Sequence, residues 1–599
     1  MRCFVPFVRE LNQASTRVLH IAQLLGADCV PVNLPAGSAN PVRDLEDAIG
    51  EIGACIAICP AVVRAWLGTE QVPSSLASCL LTRFQFLLVH ELDTDPMSAN
   101  LLRALTQDVA YGVRRIDKPN TGYQVASREL CGAFAGLSFG SANPADRVME
   151  VKSGRKSIEA IISIGNEPLF ARFRRGPTEI FLLAGVGRVG GNSDIAERKV
   201  AEYFSELLPP AMFFRYVFQE KSWRPLSPPH ATLVVDDPPL WKEYGFLNYE
   251  RLLSLMDQFD FHTTIAFIPY YWQKGSPETI RLFRTRPDRF SICYHGNNHT
   301  GGEFATRDSR RLGGLLWEAE ARMRQHEDLT GIPCSKVMVF PQCRFSRNAV
   351  HALKEHNFIG HVNSGHSPEG ETQIEHIPLS MLALMQPSVP ACNAFPFFLR
   401  KGVKDFRAED VAFNAFFGRP ILLEEHHDVF KNPSSVLELV SLINQTIPQV
   451  QWSNLQSSVE SACWVREPGD GTLHIRPYAM AAQIANPDSS SLRCVAEWRN
   501  SSRFSGLETS VWIDGLASCD AEENGADIRV RFEVAPGATR TIALRHNIDS
   551  DNLAQPVLSS RQRATVRLRR RLSEVRDNVL SKNAAVLFCV QSLRNVIFN

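Results

Sequence analysis

Between residues 226 and 450 the chain repeats one form: a short apolar run, then a stretch with helical spacing. The runs are 232–235, 263–269 (TTIAFIP), 290–295 (FSICYH), 336–341 (KVMVFP), 358–363 (FIGHVN) and 420–426 (PILLEEH). Helical patterns fill the gaps, as at 312–331 and 346–357. Apolar runs of strand length are consistent with strands buried on both faces, and strand–helix alternation makes such strands parallel. Six or more such units predict a (β/α) barrel. A barrel gathers the C-terminal ends of its strands at one face, so the residues that end strands are the candidates for chemistry.

A chain of 599 residues exceeds one ordinary core, and the pattern changes on both sides of the barrel. Residues 1–225 carry candidate strands at 53–59, 84–90, 158–165 and 179–185 and a helical stretch at 193–208, which predicts an open α/β domain. Its alternation and final Gly-rich turn resemble a class I glutamine-amidotransferase-like domain. It lacks a convincing nucleophile elbow, so a non-catalytic role is expected. The turn Gly185-x-Gly187-x-x-Gly190 has the shape of a dinucleotide loop, but it closes the domain instead of opening it, and nucleotide binding is not expected. The acidic stretch 89–96 (VHELDTDP) reads as a solvated loop, and 221–230, rich in Pro and Ser, reads as a linker.

Apolar–polar alternation over 451–550 predicts a small antiparallel β-sandwich. Residues 551–599 form a basic tail in which Leu568, Leu572, Val575 and Val579 share one helical stripe flanked by arginines. The expectation is that the stripe packs on the sandwich and exposes its charges. Association of the tail with a membrane is the lesser reading.

Lys+Arg and Asp+Glu both number 64, so no global charge grips nucleic acid or a membrane. The start has no signal-peptide pattern and no stretch of about 20 apolar residues appears, which predicts a cytoplasmic protein. The 14 cysteines are scattered and are expected to be reduced. Oligomeric state is not legible.

The run at 232–235 ends in Asp236-Asp237-Pro238-Pro239. Two adjacent carboxylates repel, so the pair is either a solvated turn or the holder of a cation. The run at 290–295 ends in His295-Gly296-Asn297-Asn298-His299, two imidazoles four residues apart. One carboxylate and two imidazoles form a common catalytic metal set that leaves positions open for water and substrate. Both motifs end strands, so the barrel can bring them together.

On these motifs the central region resembles the polysaccharide deacetylases of the NodB-homology group. Their first motif is Asp-Asp-Gly-Pro at a strand end, and their second is His-(Ser/Thr)-x-x-His. The resemblance implies an irregular seven-stranded barrel with Asp237, His295 and His299 holding a divalent metal, zinc first and Co, Ni or Mn as alternatives. It implies Asp236 as general base. A late histidine, His426 or His427, would be the general acid. His426 is favoured because alternate strand residues point to opposite sides. The chain departs from the family at Pro238, at Gly296, and at Val339, where the family has an arginine that orients the base. Arg344 is the candidate substitute. Trp241, Tyr244, Tyr270, Tyr271 and Trp272 follow strand ends and are candidates for stacking on a sugar. The implied function is metal-dependent deacetylation of an N-acetylated sugar or exopolysaccharide precursor. The rivals are an inactive glycan-binding barrel and a hydrolase of a non-sugar C–N amide bond.

Overall fold

The computed structural model of the chain describes residues 1–50, 54–116, 122–140, 143, 145–152, 158–187, 200–364, 381–391, 395–499, 509–525, 527–546 and 560–582. It is α/β and multidomain. The centre is a nearly closed sheet of seven long parallel strands: β1 (His230–Asp236), β2 (Thr263–Phe267), β3 (Phe290–His295), β4 (Cys334–Val339), β5 (Gly360–Asn363), β6 (Phe395–Leu399) and β7 (Ile421–His426). They lie in the order β6–β5–β4–β3–β2–β1–β7. Leu233, Val234, Val235, Ile265, Ile292 and Val337 are fully buried, as parallel strands covered on both faces require.

The edges β6 and β7 are joined by the chain itself. It leaves β6 at Leu399, passes Arg400, and pairs Lys401 and Gly402 in parallel with Leu423 and Glu424 of β7. No strand is expected from the sequence at 395–399. Its run, FPFFL, sits between a long stretch of other character and an arginine, and no helical unit separates it from the segment that joins β7. Gln451–Trp452 also pairs with β1, so the barrel sheet extends past residue 450.

On the barrel's flank, helix Ser309–Thr330 is tied down by a buried carboxylate. Glu320 accepts from His356 Nδ1 at 2.6 Å and pairs with Lys336 Nζ at 2.7 Å. Burial opposes the charge on Glu320, but the hydrogen bond from His356 and the charge of Lys336 hold its pKa below the usual glutamate value. Glu320→Gln is therefore expected to cost about 2 kcal/mol at neutral pH. A depressed carboxylate pKa contributes stability above the unfolded-state value of about 4.3 and loses it as pH falls through the folded-state value. The gap between variant and wild type in denaturant midpoint should accordingly close on acidification.

The N-terminal sheet runs, edge to edge, Cys29–Asn33, Cys3–Phe7, Ala54–Ile58, Phe84–Leu92, Thr178–Ala184, Glu167–Arg175, Ile158–Ile164, Tyr123–Val125 and Ser138–Phe139. Its first five strands are parallel and the rest antiparallel. The strand at 167–175, absent from the sequence reading, explains the change. Two-residue turns on either side of it leave room only for hairpins. The acidic stretch is not a solvated loop: Glu91 pairs with Arg17, Asp93 with Arg147, and Asp95 with Arg64 while capping helix Pro96–Thr106. Gly190 of the Gly-rich turn and the first part of the expected helix lie outside the described residues, and the described helix spans Val200–Phe218.

The C-terminal strands run from Cys463 to His546 in a six-stranded and a four-stranded sheet. They are antiparallel except for Thr472–Pro477 beside Leu492–Trp498. The expected linker supplies an edge strand: Arg224–Pro225 pairs with Val465 and Trp464. Among the described residues no helix is long and apolar enough to cross a membrane.

Candidate metal centre

Three strand ends and one seam meet at one face of the barrel. Asp236 is the last residue of β1 and is paired in register with His426, the last of β7. Asp237 follows in the left-handed region, φ +85°. That turn takes its side chain off the strand's alternation and lets two consecutive carboxylates face the same place. Asp237 Oδ1 lies 3.4 Å from His295 Nε2 and 3.1 Å from His299 Nε2. The three donors all lie within 4.8 Å of one another.

The residues present fit a cation. The Nδ1–H of His295 donates to the Val339 carbonyl at 2.9 Å, so in its neutral form the ring presents a lone pair at Nε2. Asp237 Oδ1 is buried and accepts no hydrogen bond. Acceptors facing one another in a dry place are costly unless something positive lies between them. Burial, helped by the neighbouring positive groups, pushes the His299 pKa down to about 4, so at neutral pH that ring is in the form that ligates. Burial opposes a charge on His295 as well, but Asp236 and Asp237 outweigh it and raise its pKa. The pocket as a whole draws positive charge.

The second motif is held by a residue that sequence reasoning missed. Glu303 is buried. Its Oε1 accepts from the backbone N–H of Asn297 at 2.7 Å, Asn298 at 3.0 Å and His299 at 3.0 Å. One carboxylate thus folds the whole loop around His299, which itself sits at φ +54°. The same carboxylate accounts for the departure at Gly296. A Cβ there would stand 2.5 Å from Pro341 Cγ and 2.6 Å from Glu303 Oε1, and φ is +64°. Arg322 fixes the two asparagine side chains, donating to Asn297 Oδ1 at 2.6 Å and Asn298 Oδ1 at 2.9 Å. Glu303→Gln turns one acceptor into a donor facing donors. It is expected to weaken metal binding about 10- to 100-fold, as loss of a ligand-orienting partner does, in a titration with Zn²⁺.

Asp236 is clamped from across the seam. Arg400 Nη1 and Nη2 donate to its two oxygens at 2.6 and 2.7 Å, both groups being buried. Burial alone would raise the Asp236 pKa, but the Arg400 guanidinium and then His295 hold it below the usual carboxylate range. Arg400 also lies 3.3 Å from Glu424. The guanidinium that holds Asp236 therefore comes from the link between β6 and the segment paired with β7. Arg344, the sequence candidate, packs beside Gly302 instead. The reason is local: position 339 spends its backbone carbonyl on His295, and the chain after it turns through Gln342 and Cys343, both at positive φ.

A cavity of about 310 Å³ opens on Asp236, Asp237, His295, His299, Arg400 and His426. His427 does not line it. It is buried against Tyr244, rings 5.1 Å apart, with Nε2 3.7 Å from Asp577. The expected sugar-stacking aromatics do not line it either. Trp241, Tyr270 and Tyr271 gather around the ammonium of Lys274, and Tyr244 donates to Asp577 at 2.6 Å. Trp272 gives its carbonyl to His326. Much of this group seats the C-terminal helix, because Asp577 and the Glu574 partner of Lys274 both belong to it.

No family model matches the sequence, and no curated protein matches it. Solved structures do. The carbohydrate deacetylase Agd3 is similar over 90% of this chain and 98% of its own, at 10% identity and a TM-score of 0.45. The Bc1960 peptidoglycan N-acetylglucosamine deacetylase is similar over 39% of this chain and 90% of its own, at 15% identity and a TM-score of 0.24. A family 4 acetyl xylan esterase from Clostridium thermocellum, solved with a cobalt ion, is similar over 38% of this chain and 89% of its own, at 14% identity and a TM-score of 0.23. The solved structures to which this chain is similar thus include polysaccharide deacetylases, the family that its Asp-Asp and His-x-x-x-His motifs resemble.

Proposed function

We propose that the chain is a metal-dependent hydrolase that removes an acetyl group from an N-acetylated sugar. The observation that carries this reading is the convergence of Asp237, His295 and His299 beside an aspartate held by a two-pronged arginine. A divalent ion on those three residues would polarise the scissile carbonyl and lower the pKa of water. The chain supplies the rest. Arg400 keeps Asp236 ionised and fixed in direction, so its carboxylate can take the proton of the attacking water. His426, exposed at the end of β7 and lining the same cavity, can return a proton to the leaving amine. The cavity is at the small end for ligand sites, which suits one acetamido group and its ring better than a long glycan.

The test is acetate release from N-acetylglucosamine oligomers by protein reconstituted in turn with Zn²⁺, Co²⁺, Ni²⁺ or Mn²⁺, beside a chelated control. Release that depends on metal supports the proposal. Failure of any divalent ion to bind at stoichiometry would sink the hydrolase reading. A second reading, cleavage of a non-sugar C–N amide, is favoured by the cavity wall, which is charged and lacks the aromatic group. N-acetylated amines and amino acids in the same assay separate the two.

A further inference from the structure

The C-terminal helix docks by the wrong face for an ordinary amphipathic helix. It spans Ser560–Val575 and continues as a wider turn over Arg576–Leu580. Its polar side is the one that is buried. Arg570 donates to the His299 carbonyl at 2.9 Å, Glu574 takes Lys274 at 2.7 Å, Asp577 takes Tyr244, and Asn578 accepts from the Gly245 N–H at 2.9 Å. Arg576 reaches the wall of the metal cavity. The helix therefore lies across the barrel face at which β1, β3 and β7 end.

Its apolar stripe points away. Leu568, Leu572, Val575 and Val579 are 60, 60, 49 and 61% exposed, and they make up most of the exposed large apolar residues among those described. The stripe was expected to pack on the sandwich. It does not, because the polar partners of the opposite face are taken up by the barrel. Residues at i, i+4, i+7 and i+11 form one continuous line along the helix. Exposed arginines border it: Arg567 and Arg571 on one side and Arg569 on the other. An apolar line flanked by arginines is the pattern of a helix lying in the interface of a bilayer with anionic headgroups. The charge argues against a second copy of the chain. Two such stripes face to face would bring like-charged arginines together, whereas an anionic surface satisfies both the arginines and the stripe.

We propose that this exposed face of the C-terminal helix docks on an anionic lipid bilayer, holding the mouth of the metal site at the membrane surface. The occupant is the lipid surface itself, and the polar face stays on the barrel. The proposal is independent of which bond the site cleaves.

The full-length protein would be co-sedimented with phosphatidylcholine vesicles with or without phosphatidylglycerol. Binding is expected only to the vesicles that contain phosphatidylglycerol and is expected to weaken as salt is raised. The variant Leu568→Gln/Leu572→Gln/Val575→Gln/Val579→Gln changes only exposed side chains. It should keep its melting temperature and bound metal and lose vesicle affinity about tenfold or more. Arg567→Gln/Arg569→Gln/Arg571→Gln should lower affinity for the anionic vesicles by a similar factor. Three results overturn the proposal: no binding to either vesicle, binding that the stripe variant leaves intact, or a wild-type dimer in sedimentation velocity that the stripe variant dissociates without any vesicle binding.

Discussion

Asp237→Ala is expected to abolish stoichiometric binding of a divalent ion and to lower kcat/KM about a thousandfold, or about 4 kcal/mol of transition-state stabilisation. Asp237 supplies the only carboxylate of the three donors, and its Oδ1 is the atom both imidazoles face. Without it two neutral rings remain, and the charge that offsets the ion's loss of water is gone. Alanine brings a second effect, because φ is +85° there and aspartate or asparagine tolerates positive φ better than a plain Cβ residue does. Asp237→Asn separates the two: it keeps a side chain suited to the backbone and removes the charge. The expected result is metal loss in both variants, with the larger fall in thermal stability in alanine. Metal retained at full stoichiometry by Asp237→Asn would remove Asp237 from the ligand set. His299→Ala, on the other motif, should lose metal as Asp237→Ala does.

What could be read in advance divides along a physical line. The residues that end strands were legible, because a buried parallel strand declares itself by its apolar run and its end is then a known place. Asp236 and Asp237 and His295 and His299 stand out as candidates in that way, whereas His426 is a candidate only through the family resemblance. Their supporting residues were not. Glu303 sits four positions after His299 in a loop with no periodicity, and nothing marks it as the acceptor for three backbone N–H groups. Arg400 follows a strand that the helix–strand rhythm does not predict, because the chain passes directly from β6 to the segment on β7. The tail's helix and stripe were both visible, but not which side it would bury. Amphipathicity favours burial of the apolar side, whereas here Arg570, Glu574, Asp577 and Asn578 each find a partner on the barrel. A pattern within one element cannot show what the neighbouring element offers. The aromatics show the same limit: their place after strand ends was right for the face of the barrel, yet Tyr244 is taken by Asp577 of the helix and does not line the cavity.

The largest coupled effect is expected at Arg400. Its guanidinium and the Asp236 carboxylate are both buried and share two short hydrogen bonds. Arg400→Leu strands that carboxylate, which costs about 3–5 kcal/mol where one partner of a buried pair is removed. It also frees Asp236, the proposed base, to turn, so kcat/KM is expected to fall about a hundredfold or more. Arg400→Lys keeps the positive charge but not the fork, and should recover part of the stability and little of the rate. The double variant Arg400→Leu/Asp236→Asn tells the two roles apart. If the cost of Arg400→Leu is the stranded charge, neutralising Asp236 should restore much of the denaturant midpoint while activity stays lost, a coupling that single substitutions cannot show. If the midpoint is not restored, the loss lies elsewhere along the seam, with the Arg400–Glu424 contact and the join between β6 and β7 as the remaining places for it. Either way the arginine that fixes Asp236, the proposed base, is the one that stands where the barrel closes, so stability and the proposed chemistry would meet in one residue.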